Sequence, residues 1–396
     1  MKKFNRVFFI VTDSLGIGNC PRAKEFGDFG ANTFASISKT RLLNIPTWRK
    51  MGINNIVNLE GMPPTKEQNA FTVRLIELGN AKDTLAGHWE MMGIKTVTPF
   101  PTFTETGFPQ EMLDELSKAF DGKEIIGNKA ASGTEIITEL GETEINEGKV
   151  IVYTSADPVL QICGNEETMG LETLYRYGKA AREICNSRPE WNVGRIIVRP
   201  YTGTNKSNFE RTANRHDYAV EPAERLVMDD LAAKGVKVTS IGKINDIYSG
   251  HGIDVAIHSE SNNDGMDKLI DLVSKDTNDE FIMTNLVEFD SHYGHRRNID
   301  GYAEAINDFD IKLTKLKNAM KEDDLLIITS DHGNDPSWPG SDHTREMVPG
   351  TIFSKSFKKP MKLDDAKGFG TLGNIVAKNW DVELTGTGED ITDKLI

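Results

Sequence analysis

Four separated places in the chain put Asp and His side chains where they could hold metal ions. The first is Val7-Phe8-Phe9-Ile10-Val11-Thr12-Asp13, an apolar run that ends on a carboxylate. The second is Asp290, with His295 five residues on, and the third is the adjacent pair Asp331-His332, followed by Gly333, which frees the backbone to turn. The fourth is His343, in a loop that also holds Pro336, Pro339 and Gly340. Carboxylate oxygens mixed with imidazole nitrogens suit divalent transition ions. Six candidate ligands (Asp13, Asp290, His295, Asp331, His332 and His343) are too many for one four-coordinate ion with an open position. They suit two ions about 4 Å apart. A single Asp at the end of a strand is more often a helix cap or a solvated loop residue. Repeated pairing of Asp with His separates this set from scattered caps. His292, beside the set, reads as a surface or supporting residue.

Such a centre needs a nucleophile, and the segment Asn80-Ala-Lys-Asp-Thr84-Leu-Ala-Gly-His-Trp-Glu offers the hydroxyl of Thr84. A hydroxyl next to a metal ion loses its proton more readily and attacks phosphorus. Thr84 also fits as the cap of a helix that begins just after it, where an attached phosphate is favoured. Capping alone is an equally good reading of that segment.

The elements that would position these residues are short apolar, β-branched runs that end in polar residues. They are Arg6 to Asp13, Val150 to Asp157, Arg195 to Arg199, Val236 to Gly242, Phe281 to Asp290 and Leu325 to Asp331. Runs of this kind read as buried strands of a parallel sheet. Helical patterns lie between them at Leu171 to Cys185, Pro222 to Lys234 and Tyr302 to Met320, the last with Ala305, Phe309, Leu313 and Leu316 at helical spacing. The alternation predicts an α/β fold with a doubly wound, mostly parallel sheet, whose C-terminal strand ends would gather the ligands along one edge. A Pro-rich break at Thr98 to Thr106 and a polar stretch at Thr202 to His216 bracket an insertion. We therefore expect a discontinuous catalytic core over 1–98 and 218–396, and an inserted, smaller α+β cap domain over 99–217 that binds substrate.

The chain has 396 residues, enough for two such units, and a net charge of −14. The acidic balance argues against nucleic-acid and membrane-surface partners. It also means that an anionic substrate needs local cations, either metal ions or a cluster of Arg. In the stretch that holds Arg195, Arg199, Lys206, Arg211 and Arg215, Glu210 is the sole acid. Arg forks grip phosphate bidentately, although any one of these could equally serve a solvated basic face. No apolar run approaches the ~20 residues of a membrane span. The three cysteines (Cys20, Cys163 and Cys185) lack metal-type spacing, and no signal-peptide pattern is seen. A cytoplasmic setting is the expectation.

Four motifs in this order carry a resemblance. They are Thr-Asp13-Ser-Leu-Gly-Ile-Gly, Lys-Asp-Thr84-Leu-Ala-Gly-His-Trp-Glu, Phe-Asp290-Ser-His-Tyr-Gly-His295-Arg-Arg, and Asp331-His332-Gly-Asn-Asp-Pro-Ser-Trp-Pro-Gly-Ser-Asp342-His343-Thr-Arg-Glu. They resemble the alkaline phosphatase superfamily of two-metal phosphotransferases and, more closely, its phosphopentomutase family. The resemblance covers nearly the whole chain. It implies that Asp290, His295 and His343 hold one ion, that Asp13, Asp331 and His332 hold the other, and that Thr84 carries phosphate. It also implies two Mn2+ ions per chain, with zinc admitted by the ligand chemistry. The implied activity is an isomerase interconverting ribose 1-phosphate and ribose 5-phosphate, or their deoxyribose equivalents, with glucose 1,6-bisphosphate or a similar sugar bisphosphate as activator. The implied partners are small-molecule sugar phosphates. For substrate it points to Arg195 and Arg211, then to Ser155 and Asp157 for sugar hydroxyls and, more weakly, to Lys243. Two departures stand out: Glu288 where Asp is expected, and Asn334 where Cys is common. Two readings compete with the mutase. One is a phosphate-ester hydrolase or phosphoglycerate mutase on the same metal site; the other is a non-catalytic sensor of sugar phosphates.

Overall fold

The computed structural model describes residues 3–395, and the chain falls into two compact units. One is built from Met1–Thr98 with Pro222–Ile396, the other from Pro99–Glu221. The strands, in chain order, are β1 (Arg6–Thr12), β2 (Phe71–Ile76), β3 (Ile125–Ala130), β4 (Val150–Thr154), β5 (Val159–Asn165), β6 (Arg195–Thr202), β7 (Glu210–Arg211), β8 (His216–Ala219), β9 (Lys237–Ile241), β10 (Val255–Ile257), β11 (Glu280–Leu286), β12 (Asp324–Thr329), β13 (Val348–Phe353) and β14 (Ala366–Lys367).

The first unit holds an eight-stranded sheet in the order β10-β9-β11-β1-β12-β13-β2-β14. From β10 to β12 every pair is parallel; β13 is antiparallel to both its neighbours, and β14 runs parallel to β2. This is the α/β fold with a mostly parallel sheet that the periodicity predicts. Every residue of β1, β11 and β12 is buried, which explains why these strands read as unbroken apolar runs. At the start of β1 the Arg6 guanidinium makes a bidentate bond to Asp324 on β12, with both side chains 1% exposed.

The long helix Ile299–Ala319 covers one face. Its buried stripe is Tyr302, Ala303, Ile306, Phe309, Leu313 and Leu316, so Ala305 lies at the rim and the apolar phase is shifted from the expected one. The helix expected from Pro222 begins later, at Val227, because the residues before it are a turn leading to Leu226. Among the described residues, no helix is long and apolar enough to cross a membrane.

The second unit is a six-stranded sheet in the order β3-β4-β5-β6-β7, with β8 paired to β6. Helices Gln110–Ala119 and Leu171–Asn186 pack on one face over Val150, Val152, Leu160, Ile162, Ile196 and Val198. Helix Gly133–Glu147 covers part of the other face through Ile136 and Ile137, against Tyr153, Cys163 and Tyr201.

Candidate metal centre

Each strand that feeds the site ends in a turn that aims a side chain over the sheet edge. After β1, Asp13 is followed by Ser14 in the left-handed region (φ 67), a strained conformation for a residue with a Cβ. The turn is held by the Ser14 main-chain N–H, which donates to Asp331 Oδ1 at 3.0 Å. After β12, Gly333 pairs with Thr344 through two main-chain hydrogen bonds, folding the loop back so that His343 returns to Asp331-His332. A Cβ at Gly333 would overlap the Glu346 side chain, so this turn requires glycine. After β11, one wide helical turn, Phe289–Gly294, presents Asp290, whose carbonyl accepts from the His295 N–H at 3.0 Å.

These turns bring the six expected ligands into one cluster, buried except for the partly exposed His295. Asp13, Asp331 and His332 offer ligand atoms within 4.8 Å of one another, as do Asp290, His332 and His343. His295 joins through Nε2, 3.0 Å from Asp290 Oδ2 and 3.0 Å from His343 Nε2. His332 Nε2 lies 3.4 Å from Asp13 Oδ1 and 3.3 Å from Asp331 Oδ2, and the His332 and His343 rings stack with centroids 3.9 Å apart.

The donor set fits divalent ions on three observations. First, His295, His332 and His343 each donate Nδ1–H to a main-chain carbonyl, of Ser341, Gly333 and Lys82 respectively. That leaves each Nε2 as the atom facing the cluster, the usual arrangement for a metal-bound imidazole. Second, Asp13 Oδ1 and Asp331 Oδ2 are buried with no hydrogen-bond partner, an uncompensated cost that a cation removes. Third, the charges are perturbed in opposite directions. Burial and then the Asp331 carboxylate push Asp13 up. Burial also raises Asp290, but His295 and His343 outweigh it and hold the carboxyl well below its usual range. Burial would lower His332, yet Asp331 and Asp13 raise it well above the ordinary imidazole value. Three buried carboxylates crowded among imidazoles make a site that a cation would stabilise.

Thr84 is the first residue of helix Thr84–Met92 and is partly exposed, with Oγ 3.2 Å from His332 Nε2. The cap of this helix is Asp83, which accepts from the Ala86 N–H, so Thr84 does not fill the capping role and its hydroxyl faces the cluster. Gly87, one turn on, lies against the main chain of Asp331: a Cβ there would overlap the Asp331 carbonyl oxygen and stand 2.8 Å from its carbonyl carbon. His88, fully buried, bonds the Thr84 carbonyl at 2.9 Å, with Asp331 Oδ2 3.1 Å away. His292 is half exposed and faces Glu288.

Several contributors escaped the sequence reading. Asn334, at the position where the resemblance leads to Cys, donates Nδ2–H to Asp290 Oδ1 at 2.8 Å and accepts from Arg297. The Arg297 guanidinium also bonds the carbonyls of Gly294, Gly340 and Asp342, pinning both ligand loops. An Asn beside a His/Asp motif carries no signal that it orients a carboxylate. Lys243 follows β9 beyond Gly242, at the same edge of the sheet.

In the second unit, Ser155 and Asp157 lie in the turn between β4 and β5, and Arg195 opens β6 with its guanidinium 3.8 Å from Asp217. Arg211 lines a pocket of about 520 Å³ together with Arg199, Glu210 and Arg215. Arg199 is thus brought beside Arg211, whereas Arg195 does not line this pocket. Arg215 makes a bidentate pair with Asp217.

Residues 5–384 match the family model of the metalloenzyme superfamily. The chain is 51% identical over its full length to the whole of a phosphopentomutase from Mycoplasmopsis pulmonis, and 48% identical, again over the full length of both, to one from Clostridium tetani. A structure of Leishmania mexicana phosphoglycerate mutase, determined at low cobalt concentration, shares the fold at 10% identity, with a TM-score of 0.52 over 98% of this chain and 97% of that one. An identity near one half, sustained from end to end, sets the chain apart from relatives that share only the fold: it is an enzyme of the mutase class and belongs to the phosphopentomutase family of the metalloenzyme superfamily.

Proposed function

We propose that the chain interconverts ribose 1-phosphate and ribose 5-phosphate, and their deoxyribose equivalents, through a phosphothreonine at Thr84. The observation that carries this reading is the Thr84 hydroxyl at the start of its helix, 3.2 Å from His332 within a cluster of six Asp and His side chains, five of them buried. Asp290, His295 and His343 would hold one ion, and Asp13, Asp331 and His332 the other; manganese is the ion proposed. When bound, such ions neutralise charge on the oxygens of a transferring phosphoryl group.

The chain's own residues do the rest. A sugar bisphosphate such as glucose 1,6-bisphosphate first phosphorylates Thr84. The P–O bond at Thr84 then breaks as one forms to the 5-oxygen of ribose 1-phosphate, and the proton of that hydroxyl ends on Thr84 Oγ. The resulting bisphosphate returns its C1 phosphoryl group to Thr84, leaving ribose 5-phosphate. The Thr84 helix favours the attached phosphate by its positive end. Arg195, Arg211 and Lys243 would hold the phosphate that is not reacting, with Ser155 and Asp157 on sugar hydroxyls; the second unit would act as a cap that excludes water from phospho-Thr84.

The test is isomerisation of ribose 1-phosphate with manganese, with and without the bisphosphate, in the parent and in Thr84→Ala. The expected outcome is bisphosphate-stimulated turnover with little phosphate release, abolished by the substitution and by chelation. Unchanged turnover in Thr84→Ala would remove the phosphothreonine, and stoichiometric release of inorganic phosphate would favour the hydrolase.

A further inference from the structure

The segment that leads into Thr84 is held by a guanidinium. Arg345 lies two residues beyond His343 and is 1% exposed. Its Nη2 donates to the carbonyls of Glu77 and Gly79, both at 2.8 Å, while Nη1 donates to the Ala81 carbonyl and lies 2.7 Å from Glu77 Oε2. The other face of the guanidinium is covered by the Phe26 ring, 4.7 Å from its centroid. Three carbonyls at alternate positions of one irregular segment therefore converge on one cation.

The joint extends on both sides of Arg345. The main-chain N–H of Arg345 donates to Asp28 Oδ2, and the same oxygen accepts from Lys82 Nζ at 3.0 Å. Lys82 Nζ is also 3.0 Å from Asp342 Oδ2, and the Lys82 carbonyl accepts from His343 Nδ1 at 3.0 Å. Segment 77–82, which ends two residues before Thr84, is thus bonded to segment 342–345 through Glu77, Gly79, Ala81 and Lys82. Carbonyls buried this way need donors, and a planar fork with five N–H groups serves several at fixed angles, which an ammonium cannot.

We propose that Arg345 is a positioning residue for phosphoryl transfer: by clamping the carbonyls of Glu77, Gly79 and Ala81 it sets where the Thr84 hydroxyl stands relative to His343 and its neighbours. The guanidinium is enclosed by main-chain carbonyls, the Glu77 carboxylate and the Phe26 ring. It acts through the loop, and a small misplacement of a nucleophile is enough to slow transfer steeply. The inference rests on Thr84 being the group that carries phosphate.

Arg345→Lys keeps the charge and loses the fork. Its single-turnover phosphorylation of Thr84 by glucose 1,6-bisphosphate and its kcat should fall together, by about a hundredfold. KM for ribose 1-phosphate and the midpoint of a manganese titration should stay within threefold, at a temperature well below unfolding. The inference is overturned if Arg345→Lys turns over within threefold of the parent, or if its loss follows manganese affinity instead of the transfer step. Should Arg345→Lys not fold, Asp28→Ala removes the acceptor shared by the Arg345 main-chain N–H and Lys82 without touching the guanidinium. A loss of about tenfold in the transfer step is then expected, and an unchanged rate overturns the inference. Thr84→Ala run alongside separates the two readings: activity without Thr84 defeats the phosphothreonine, whereas an inactive Thr84→Ala beside a fully active Arg345→Lys defeats only the clamp.

Discussion

Gly87→Ala sets two physical effects against each other in one substitution. Gly87 sits in the interior of the Thr84–Met92 helix, where Ala in place of Gly favours the helix by roughly 0.5–1 kcal/mol. The built structure opposes this. A Cβ at that position would overlap the Asp331 carbonyl oxygen and stand 2.8 Å from its carbonyl carbon and 3.0 Å from its Cβ. Ordinary carbon contacts lie at about 3.5–4.0 Å, so the helix must retreat by roughly 1 Å. Asp331 lies two residues beyond the fully buried strand β12 and is itself fully buried, so the shift falls on the helix and moves Thr84 from His332. Overpacking of this kind costs about 1–3 kcal/mol of stability. A 1 Å error in the nucleophile costs about a hundredfold in rate, or about 2.7 kcal/mol at the transition state. The assay is steady-state isomerisation of ribose 1-phosphate, paired with thermal unfolding. The expected result is a lower Tm and a kcat reduced by about two orders of magnitude, with KM little changed. A variant that melts above the parent and keeps kcat within twofold would show that helix propensity wins and that the packing argument is wrong.

Glu346 accepts from the N–H groups of Gly18 and Thr33 and from the hydroxyls of Thr33 and Thr344, and burial pushes its carboxyl up to about 7. The folded chain thus keeps a proton that the unfolded chain releases near 4.5, so this group's contribution is fully present below about 4.5 and is lost as pH rises to about 7, a swing of about 3 kcal/mol. Urea unfolding at pH 5 and pH 8 should show Glu346→Gln gaining on the parent at the higher pH; a constant gap would refute the assignment. Arg6→Met leaves Asp324 buried without its guanidinium and should lose about 3–5 kcal/mol, with Arg6→Met/Asp324→Leu recovering most of it; equal denaturation midpoints for the single and double variants would contradict this.

What could be read from the sequence follows from what each residue must satisfy. The strands β1, β11 and β12 are buried on both faces, so nothing in their composition interrupts the apolar run. β13 is equally buried but carries Pro349 and Gly350; Pro349 stands near the strand's start, ahead of the register with β12 that begins at Gly350, and the pattern reads as a breaker. The wide turn Phe289–Gly294 has no periodicity by which to find it. The ligands stood out because Asp and His are chemically distinctive and recur in pairs. Arg297, Asn334, Arg345 and His88 work largely through main-chain carbonyls or a neighbour's carboxylate, supplied by loops that meet only on folding. The basic stretch from Arg195 to Arg215 was visible, but which of its members share a pocket depends on the hairpin between β6 and β7, and there Arg199 stands beside Arg211.

The opening strand has a consequence for biosynthesis. β1 bonds along one edge to Glu280–Leu286 and along the other to Asp324–Thr329, so neither neighbour exists until most of the chain has been made. At roughly 5–20 residues per second, Val7–Val11 waits roughly 15–60 s on the ribosome as an unpaired apolar segment. The Pro99–Glu221 unit contains all its own strand partners and can fold in that interval. Chaperone demand should therefore concentrate on the first strand and not on the inserted unit, and a stall between residues 221 and 280 would leave a completed insertion tethered to an aggregation-prone first strand.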